Sequence, residues 1–527
     1  MKKHQGNERI ALIDVGSNTV RLVIFNIDTD SFYDMNELQN IKVPARLVQY
    51  VEDGRMSDEG IQILIGLLES YLKIIEKYDV DRLIAVATAA VRNSSNVKEI
   101  VNQVEEKTGL KLDVISEEQE AYFGNYAVRY TFNIYDGISV DIGGGSTEVT
   151  LFENKEVVAS HSFPFGAVSL MNQFFKDKGH ANKKAIKETR KHVRSAFKEV
   201  DWLSNNRVPL IGVGGSARNL AEVYQLQNDY PIAGIHGYSM EPEWVDETLN
   251  IFTALNEEQM GSLDGLSQDR KDTIIPATLV FEQLIDIIDA PAFVLSNRGL
   301  REGIIIQYLN DTHNEPYGLY SVPQQQVIRL SSQYNIQEIA TNQRITIADM
   351  LLNELEKNEL LTIDMEYMQL MYYGATLYNL GSYIENDSSS QHTFYVISNT
   401  NIHGFDHYDR VRLALLASYK NRSLYKQYLS NLEDWFTNDE KTLLMKLGSI
   451  IKFAEALNDV HVNTVEDMKL EKNADGGYDL TVMYSGRVVS EDYRANKQLN
   501  HFERAVGDDV KVYFTTPDAK EKQSFKK

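Results

Sequence analysis

The chain contains no cysteine, which excludes disulfides, thiolate metal sites and cysteine nucleophiles. It also lacks any uninterrupted apolar run of about eighteen residues, the length a bilayer-spanning helix needs. Its first residues, Met1-Lys2-Lys3-His4-Gln5-Gly6-Asn7-Glu8-Arg9, stay polar where a secretory leader turns apolar. A cytoplasmic protein with no membrane partner is expected. Positive charge is scarce as well: 53 Lys and Arg face 76 Asp and Glu, a formal net charge of −23. Such a surface does not attract nucleic acid or other polyanions over its whole area, so any polyanionic partner has to meet a local concentration of cations. One stretch offers that. Lys183, Lys184, Lys187, Arg190, Lys191, Arg194 and Lys198 recur at helical spacing, and Lys187, Arg190, Lys191 and Arg194 would form a track on one face. A solvated helix face explains the same pattern.

What is present points to several layered domains. A length of 527 residues suits three or four of them. Ile10–Val15 and Val20–Ile27 read as strands around the break Gly16-Ser17-Asn18-Thr19. Asp58–Tyr78 is periodic in Ile61, Leu64, Ile65, Leu68 and Leu72, as a helix requires. A strand at Arg82–Ala87, a helix at Asn96–Thr108 and a strand at Lys111–Ile115 follow, an alternation that argues for an α/β domain. The opening arrangement then repeats: strand Ile138–Ile142, turn Gly143-Gly144-Gly145-Ser146, strand Thr147–Phe152. A third glycine turn, Gly212-Val213-Gly214-Gly215-Ser216, leads into a helix at Ala217–Tyr224. Residues 315–323 resemble a linker, 324–458 are nearly all helical in pattern, and 460–516 return to strands at Tyr478–Tyr484 and Val510–Phe514. The last residues, 518–527, read as a disordered tail.

Glycine turns that follow strands let backbone N–H groups approach phosphate oxygens, because no Cβ intervenes. Asp14 and Asp141 stand at corresponding strand ends beside two such turns. Carboxylates next to phosphates call for a cation between them, and magnesium, which takes oxygen ligands and shares them with substrate phosphates, is the natural one. Glu148 lies just past the second turn and is a further candidate ligand. In Ile115-Ser116-Glu117-Glu118-Gln119-Glu120-Ala121, Ser116 and Gln119 have the spacing of a capping box. Glu117 and Glu120 then fall in the first helical turn, where they serve either as a base for an attacking water or simply as complements to the helix dipole. Arg92, after Ala87-Thr88-Ala89-Ala90-Val91, is placed either to clamp a phosphate or to form an ion pair.

Taken together, these segments resemble the exopolyphosphatase and guanosine pentaphosphate phosphatase family of the actin-like ATPase superfamily. The resemblance is carried by Ile13–Thr19, Ala87–Arg92, Asp141–Glu148, Gly212–Ser216, Gly265-Leu266-Ser267-Gln268-Asp269-Arg270-Lys271-Asp272 with Ile275-Pro276-Ala277, and Ser296–Gly303. It covers residues 8–310, and the helical remainder more loosely. It implies a duplicated, ribonuclease H-like α/β fold with the active site in a cleft between actin-like domains at 1–127 and 128–314. An HD-like all-α domain at 315–459 and a small α/β domain at 460–517 would follow. It further implies that Glu120 activates water, that Arg92 binds phosphate, and that Asp14, Asp141 and Glu148 hold magnesium or another divalent cation. The phosphate seat would comprise Gly16, Ser17, Asn18, Thr19, Arg21, Gly143, Gly144, Gly145, Ser146, Gly214, Gly215, Ser216 and Arg270. A homodimer that hydrolyses inorganic polyphosphate, with stimulation by potassium, is the implied assembly and activity.

Two departures from the family pattern matter. Before the catalytic helix, Glu117 stands where the family has glycine, and Gln119 replaces the first of two glutamates. Glu120 alone precedes Ala121 in register, while Glu117 stays open as the base. In the helical region the family signature Leu-His-Glu-x-Gly is replaced by Leu377-Tyr378-Asn379-Leu380-Gly381, and a later histidine by Lys420. Only His392 remains, which cannot hold a metal alone, so a binding and dimerisation scaffold is expected there. His403 and His407 are separated by Gly404, and Asp406 reads as a helix N-cap rather than as part of a metal pair. Two rival readings share the motifs: a phosphohydrolase of guanosine pentaphosphate, and a nucleotide-binding switch with little turnover, since the third glycine turn lies where actin-like ATPases hold adenosine.

Overall fold

The computed structural model describes residues 6–29, 35–313, 317–318, 322–485 and 490–516. Most of the expected linker at 315–323 and the expected tail at 518–527 lie outside these residues. The chain divides into two compact units, Met1–Tyr230 with Ile235–Val322, and Pro231–Gly234 with Pro323–Lys527. No described helix is long and apolar enough to cross a membrane.

The first unit holds two large sheets and the two-stranded pair Val51–Glu52 with Arg55–Met56. One contains β1 (Asn7–Val15), β2 (Val20–Asp28), β3 (Met35–Val43), β4 (Arg82–Ala87) and β5 (Asp113–Val114), in the order β3-β2-β1-β4-β5. The other contains β6 (Gly137–Ile142), β7 (Thr147–Glu153), β8 (Glu156–Phe163), β9 (Leu210–Val213), β10 (Ser239–Met240) and β11 (Phe293–Leu295), in the order β8-β7-β6-β9-β11-β10. In both sheets the first strand pairs antiparallel with the second and parallel with a later one. The duplication seen in the sequence is therefore a duplication of topology, and the architecture is the actin-like α/β one. The strand expected at Lys111–Ile115 shrinks to Asp113–Val114, because only Val86 and Ala87 of β4 pair with it.

Strand alternation explains what covers each face. Ala11, Ile13 and Val15 pack with Ile61, Leu64 and Leu68 of the Asp58–Lys77 helix. Ile10 and Leu12 face the opposite way, onto Tyr126 and Ile304–Ile306. Ile138, Val140 and Val149 of the second sheet pack against Val193, Phe197, Val280 and Phe281.

The Glu117–Thr131 helix joins the two halves. Its Tyr126 belongs to the first sheet's core, and its Val128 packs with Phe152, Ile211 and Val213 of the second. The expected boundary between residues 127 and 128 falls inside this one helix, parts of which both sheets bury. The Leu300–Thr312 helix crosses it at Gly303, where a Cβ would fall inside van der Waals contact of the Phe123 carbonyl oxygen. Gly124, on the same helix, has open space where its Cβ would be.

The second unit is mainly helical, with Glu338–Lys357, Met365–Thr376, Ser389–Asn399, His407–Ala417 and Asn438–Ala456 as principal helices. A three-stranded sheet of Val465–Lys472, Tyr478–Tyr484 and Val510–Thr515 and the Ser490–Val506 helix complete it. Phe453 and Phe502 stack with ring centroids 5.1 Å apart, joining the last long helix to Ser490–Val506. The helical and α/β segments thus form one unit rather than two.

The two glycines predict opposite outcomes. Gly303→Ala forces the helices apart and should destabilise by about 1–3 kcal/mol, the usual range for overpacking. Gly124→Ala should stabilise by about 0.5–1 kcal/mol through lost unfolded-chain freedom. Denaturant unfolding of both variants checks the pair.

Candidate active site

Two turns, one from each sheet, are built alike. Gly16 N–H donates to the Thr19 carbonyl at 3.0 Å, and Gly143 N–H donates to the Ser146 carbonyl at 2.9 Å. In the first turn the Ser17 and Asn18 carbonyls accept from Val48 and Arg46 N–H at 3.0 and 2.8 Å. In the second, the Gly143 carbonyl accepts from Ala167, and the Gly144 carbonyl from Val168 and Ser169, each at 3.0 Å. The carbonyls are thereby tied back. The N–H groups of Ser17, Asn18, Gly144 and Gly145 donate to no acceptor among the described residues, and all four residues line one cleft of about 970 Å³. Such unpaired N–H groups form concavities that attract anions. Gly166 is required by this design: a Cβ there would lie 2.5 Å from the Gly143 carbonyl oxygen.

The third glycine segment is not a turn of this kind. β9 ends at Val213 and the Gly214–Gln227 helix starts at once. Gly214 has φ +88°, and a Cβ there would lie 2.5 Å from Asp141 Oδ1, so only glycine lets that carboxylate reach the helix N-terminus. The Arg270 guanidinium covers Gly215, and its Nη1 donates to Ser216 Oγ at 3.2 Å. Gly215, Ser216 and Arg270 consequently lie behind the cleft wall, where Arg270 contributes positive charge felt by Asp141.

Six carboxylates line the cleft, of which Asp14, Glu120, Asp141 and Glu148 are carried by the two sheets and the Glu117–Thr131 helix. The duplicated register places Asp14 opposite Arg21 and Asp141 opposite Glu148. Burial raises the pKa of Asp14 and of Asp141, opposed chiefly by Arg301 for the first and Arg218 for the second. Glu120 is pushed up to about 7, by burial first and then by the charges of Asp141 and Asp14, against a hydrogen bond from Arg92. Glu148 is pushed up to about 8 by burial and by Asp141 and Glu120, against hydrogen bonds with Ser146 and Ser162. A set of oxygen donors that raise one another's pKa fits a divalent cation. Among the described residues no three of His, Asp or Glu lie close enough to enclose a metal by themselves.

Ser116 caps the Glu117–Thr131 helix: its Oγ accepts from Gln119 N–H, and Gln119 Oε1 accepts from Ser116 N–H. This fixes Glu117 and Glu120 in the first turn. Arg92 lies on the short Ala89–Arg92 helix rather than in a turn. Its Nη1 donates to Glu120 Oε2 at 2.9 Å and to the Ile115 carbonyl at 3.2 Å, and its Nη2 to Glu117 Oε1 at 3.4 Å. Arg92 is thus a clamp on the glutamates and does not line the cleft. Ser162 Oγ lies 3.3 Å from Glu117 Oε2 and 3.2 Å from Glu148 Oε1.

Gly16, Ser17, Asn18, Gly143, Gly144, Gly145, Ser146 and Gly214 come together on the wall, whereas Thr19 and Arg21 do not. Arg21 Nε donates to Asn40 Oδ1 at 2.6 Å. The proposed track is corrected in part. Arg190 makes two hydrogen bonds to Glu282, at 2.8 and 2.6 Å, and Arg194 Nη1 lies 3.1 Å from both Gln283 Oε1 and Asp286 Oδ2. The Ile274–Ile288 helix therefore neutralises two of its four members, while Lys187 and Lys191 stay exposed. Four arginines absent from the expected set line the cleft: Arg46, Arg218, Arg298 and Arg301. Arg301 stands in the first turn of the Leu300–Thr312 helix and Arg218 just past the first turn of Gly214–Gln227, and Arg301 Nη1 is 4.0 Å from Asp14 Oδ2. The sequence signal was there: cations oppose the helix dipole at an N-terminus, so arginines there point to anions nearby.

The chain is similar to several known proteins. A Fusobacterium nucleatum protein named bifunctional 3-dehydroquinate synthase/phosphatase is 28% identical over 318 residues, 58% of this chain and 47% of that protein. This chain thus matches about half of that relative's length. A Pseudoalteromonas translucida protein named guanosine-5'-triphosphate,3'-diphosphate pyrophosphatase is 24% identical, covering 80% of this chain and 82% of that one. Exopolyphosphatase 1 of Mycobacterium tuberculosis is 25% identical over 57% of this chain and 88% of that protein. The crystal structure of the Aquifex aeolicus Ppx/GppA family member superposes with a TM-score of 0.53 at 27% identity, over 58% of this chain and 99% of that one. Residues 23–312 match the model of the Ppx/GppA phosphatase family and residues 322–503 that of its domain III, and the chain therefore belongs to the Ppx/GppA phosphatase family.

Proposed function

We propose that the cleft removes the terminal phosphoryl group of inorganic polyphosphate as orthophosphate. The observation that carries this reading is the meeting of two unpaired N–H cradles with one half-buried glutamate whose pKa is pushed up to about 7. The cradles and the guanidinium groups of Arg218 and Arg301 bind the terminal phosphate. Glu120, oriented by Arg92, takes a proton from the attacking water. The water oxygen forms a bond to the terminal phosphorus, the bridging P–O bond breaks, and the shortened chain leaves with the bridging oxygen. Asp14, Asp141 and Glu148 would hold a divalent cation, which supplies positive charge to phosphate oxygens as charge develops there.

Two observations favour guanosine pentaphosphate as an alternative substrate. Val48 and Val168 line the cleft while 52% and 42% exposed, which suits an organic moiety better than a bare phosphate chain. Asp269 and Asp272 also lie on the wall, where a long polyanion would be repelled. Parallel hydrolysis assays on long polyphosphate and guanosine pentaphosphate decide between the two. Magnesium-dependent ATP binding without phosphate release would favour a switch instead.

Glu120→Gln is expected to lower kcat by about 10²–10⁴, the usual cost of losing a positioned base, with substrate binding retained; near-normal turnover moves the role to Glu117. In the wild type, kcat/KM should rise with pH through about 7, as Glu120 ionises. The carboxylates also predict an unusual stability profile. Glu120 and Glu148 hold protons up to about 7 and about 8 when folded, against an ordinary value of 4.5. Unfolding therefore releases protons in that window, and stability should fall as pH rises through it. Magnesium, binding the ionised form, should offset the fall, and Glu148→Gln should flatten it. Urea unfolding across this pH range, with and without magnesium, measures all three.

A further inference from the structure

A buried lysine lies in the turn of the β7–β8 hairpin, whose first strand carries Glu148 and pairs with the strand that carries Asp141. β7 and β8 are joined by the two-residue turn Asn154-Lys155, with φ of +49° and +61°. A hairpin turn with both central residues left-handed favours Asn-Gly, and lysine in the second place bears a backbone cost that glycine would avoid. The Lys155 side chain is also fully buried, and burial pushes its pKa down to about 8. Two unfavourable features at one residue point to a role that offsets them.

The contacts show what that role is. Lys155 Nζ donates to the Arg129 carbonyl at 3.1 Å and the Phe132 carbonyl at 2.6 Å. These groups lie at the C-terminal end of the Glu117–Thr131 helix, where carbonyls lack intrahelical partners and positive charge is favoured. Arg129 returns the contact, its Nη1 donating to the Lys155 carbonyl at 2.8 Å. The helix and the hairpin are stapled in both directions at the end remote from the cleft.

At the cleft end the helix meets β6 and β7 around a cavity of about 10 Å³, lined by Glu120, Gly124 and Asn125 on the helix, by Ser139 and Asp141 on β6 and by Glu148 on β7. Gly124 leaves open space, and two side-chain hydrogen bonds reach from the helix to the second sheet, Asn125–Ser139 at 3.0 Å and Ser162–Glu117 at 3.3 Å. Neither bond is made by Glu120 itself, so its distance from Asp141 and Glu148 follows the placement of the whole helix.

We propose that Lys155 is a positioning residue: by stapling the remote end of the helix to the β7–β8 hairpin, it sets the distance of Glu120 from Asp141 and Glu148. This rests on Glu120 being the base. A displacement of about 1 Å can cost about 10² in rate.

The test compares Lys155→Met, Lys155→Gly and Glu120→Gln with the wild type, using magnesium and whichever of polyphosphate or guanosine pentaphosphate the wild type hydrolyses. Lys155→Gly removes the ammonium while relieving the left-handed backbone, so it keeps the test usable if Lys155→Met does not fold. In the folded variant, kcat should fall about 10- to 100-fold with KM within about twofold, because the phosphate cradles lie on other segments. Hydrogen exchange, read without substrate, should show faster exchange at residues 117–124, the end of the helix remote from the substitution. Unchanged kcat, or faster exchange confined to residues 127–135, overturns the positioning role. Retained activity in Glu120→Gln overturns the base assignment instead, and the exchange pattern still decides whether Lys155 controls the far end of the helix.

Discussion

Four carboxylates from two sheets and one helix share a single cleft, and their mutual repulsion is the constraint the rest of the site answers. Burial and shared negative charge drive Glu120 and Glu148 toward protonation near neutral pH. Within the protein, Arg301, Arg218 and Arg270 offset part of this charge, and Arg92 holds Glu120 by a direct hydrogen bond. The remaining imbalance suits the proposed cation, and the unpaired N–H groups of the two turns suit the proposed phosphate.

The duplication makes this arrangement possible. Each half supplies a strand ending in an aspartate and a turn whose carbonyls are turned away from the cleft. The halves differ where their tasks differ: the residue opposite Asp14 is Arg21, whereas the residue opposite Asp141 is Glu148. One half leans toward the anion and the other toward the cation. The helix bearing Glu120 belongs to both cores, so Glu120 is held by the same contacts that hold the halves together.

Much of this was legible in the sequence because it depends on local chemistry. Ser116 and Gln119 announce a helix start by their spacing alone, and the first two glycine turns announce themselves by repeating. The third misleads: Gly214-Gly215-Ser216 has turn composition, yet glycine is needed there for the approach of Asp141 and Arg270, which is a tertiary matter. Arg92 could be placed near the site but not aimed, since its clamp on Glu117 and Glu120 depends on how two helices meet. Likewise, nothing near Arg190 and Arg194 in the chain reveals that Glu282 and Asp286, about ninety residues on, neutralise them. The expected boundary at residues 127 and 128 falls inside a shared helix for a related reason. Sequence repeats mark where a motif recurs, not which sheet buries a shared helix.

The most direct measurement is a crystal structure of the protein with magnesium and phosphate, or a short polyphosphate, in the cleft. The terminal phosphate is expected to accept hydrogen bonds from the N–H groups of Ser17, Asn18, Gly144 and Gly145, with the cation bridging it to the Asp141 and Glu148 carboxylates. Phosphate seated elsewhere in the cleft, with those four N–H groups still without an acceptor, would contradict this.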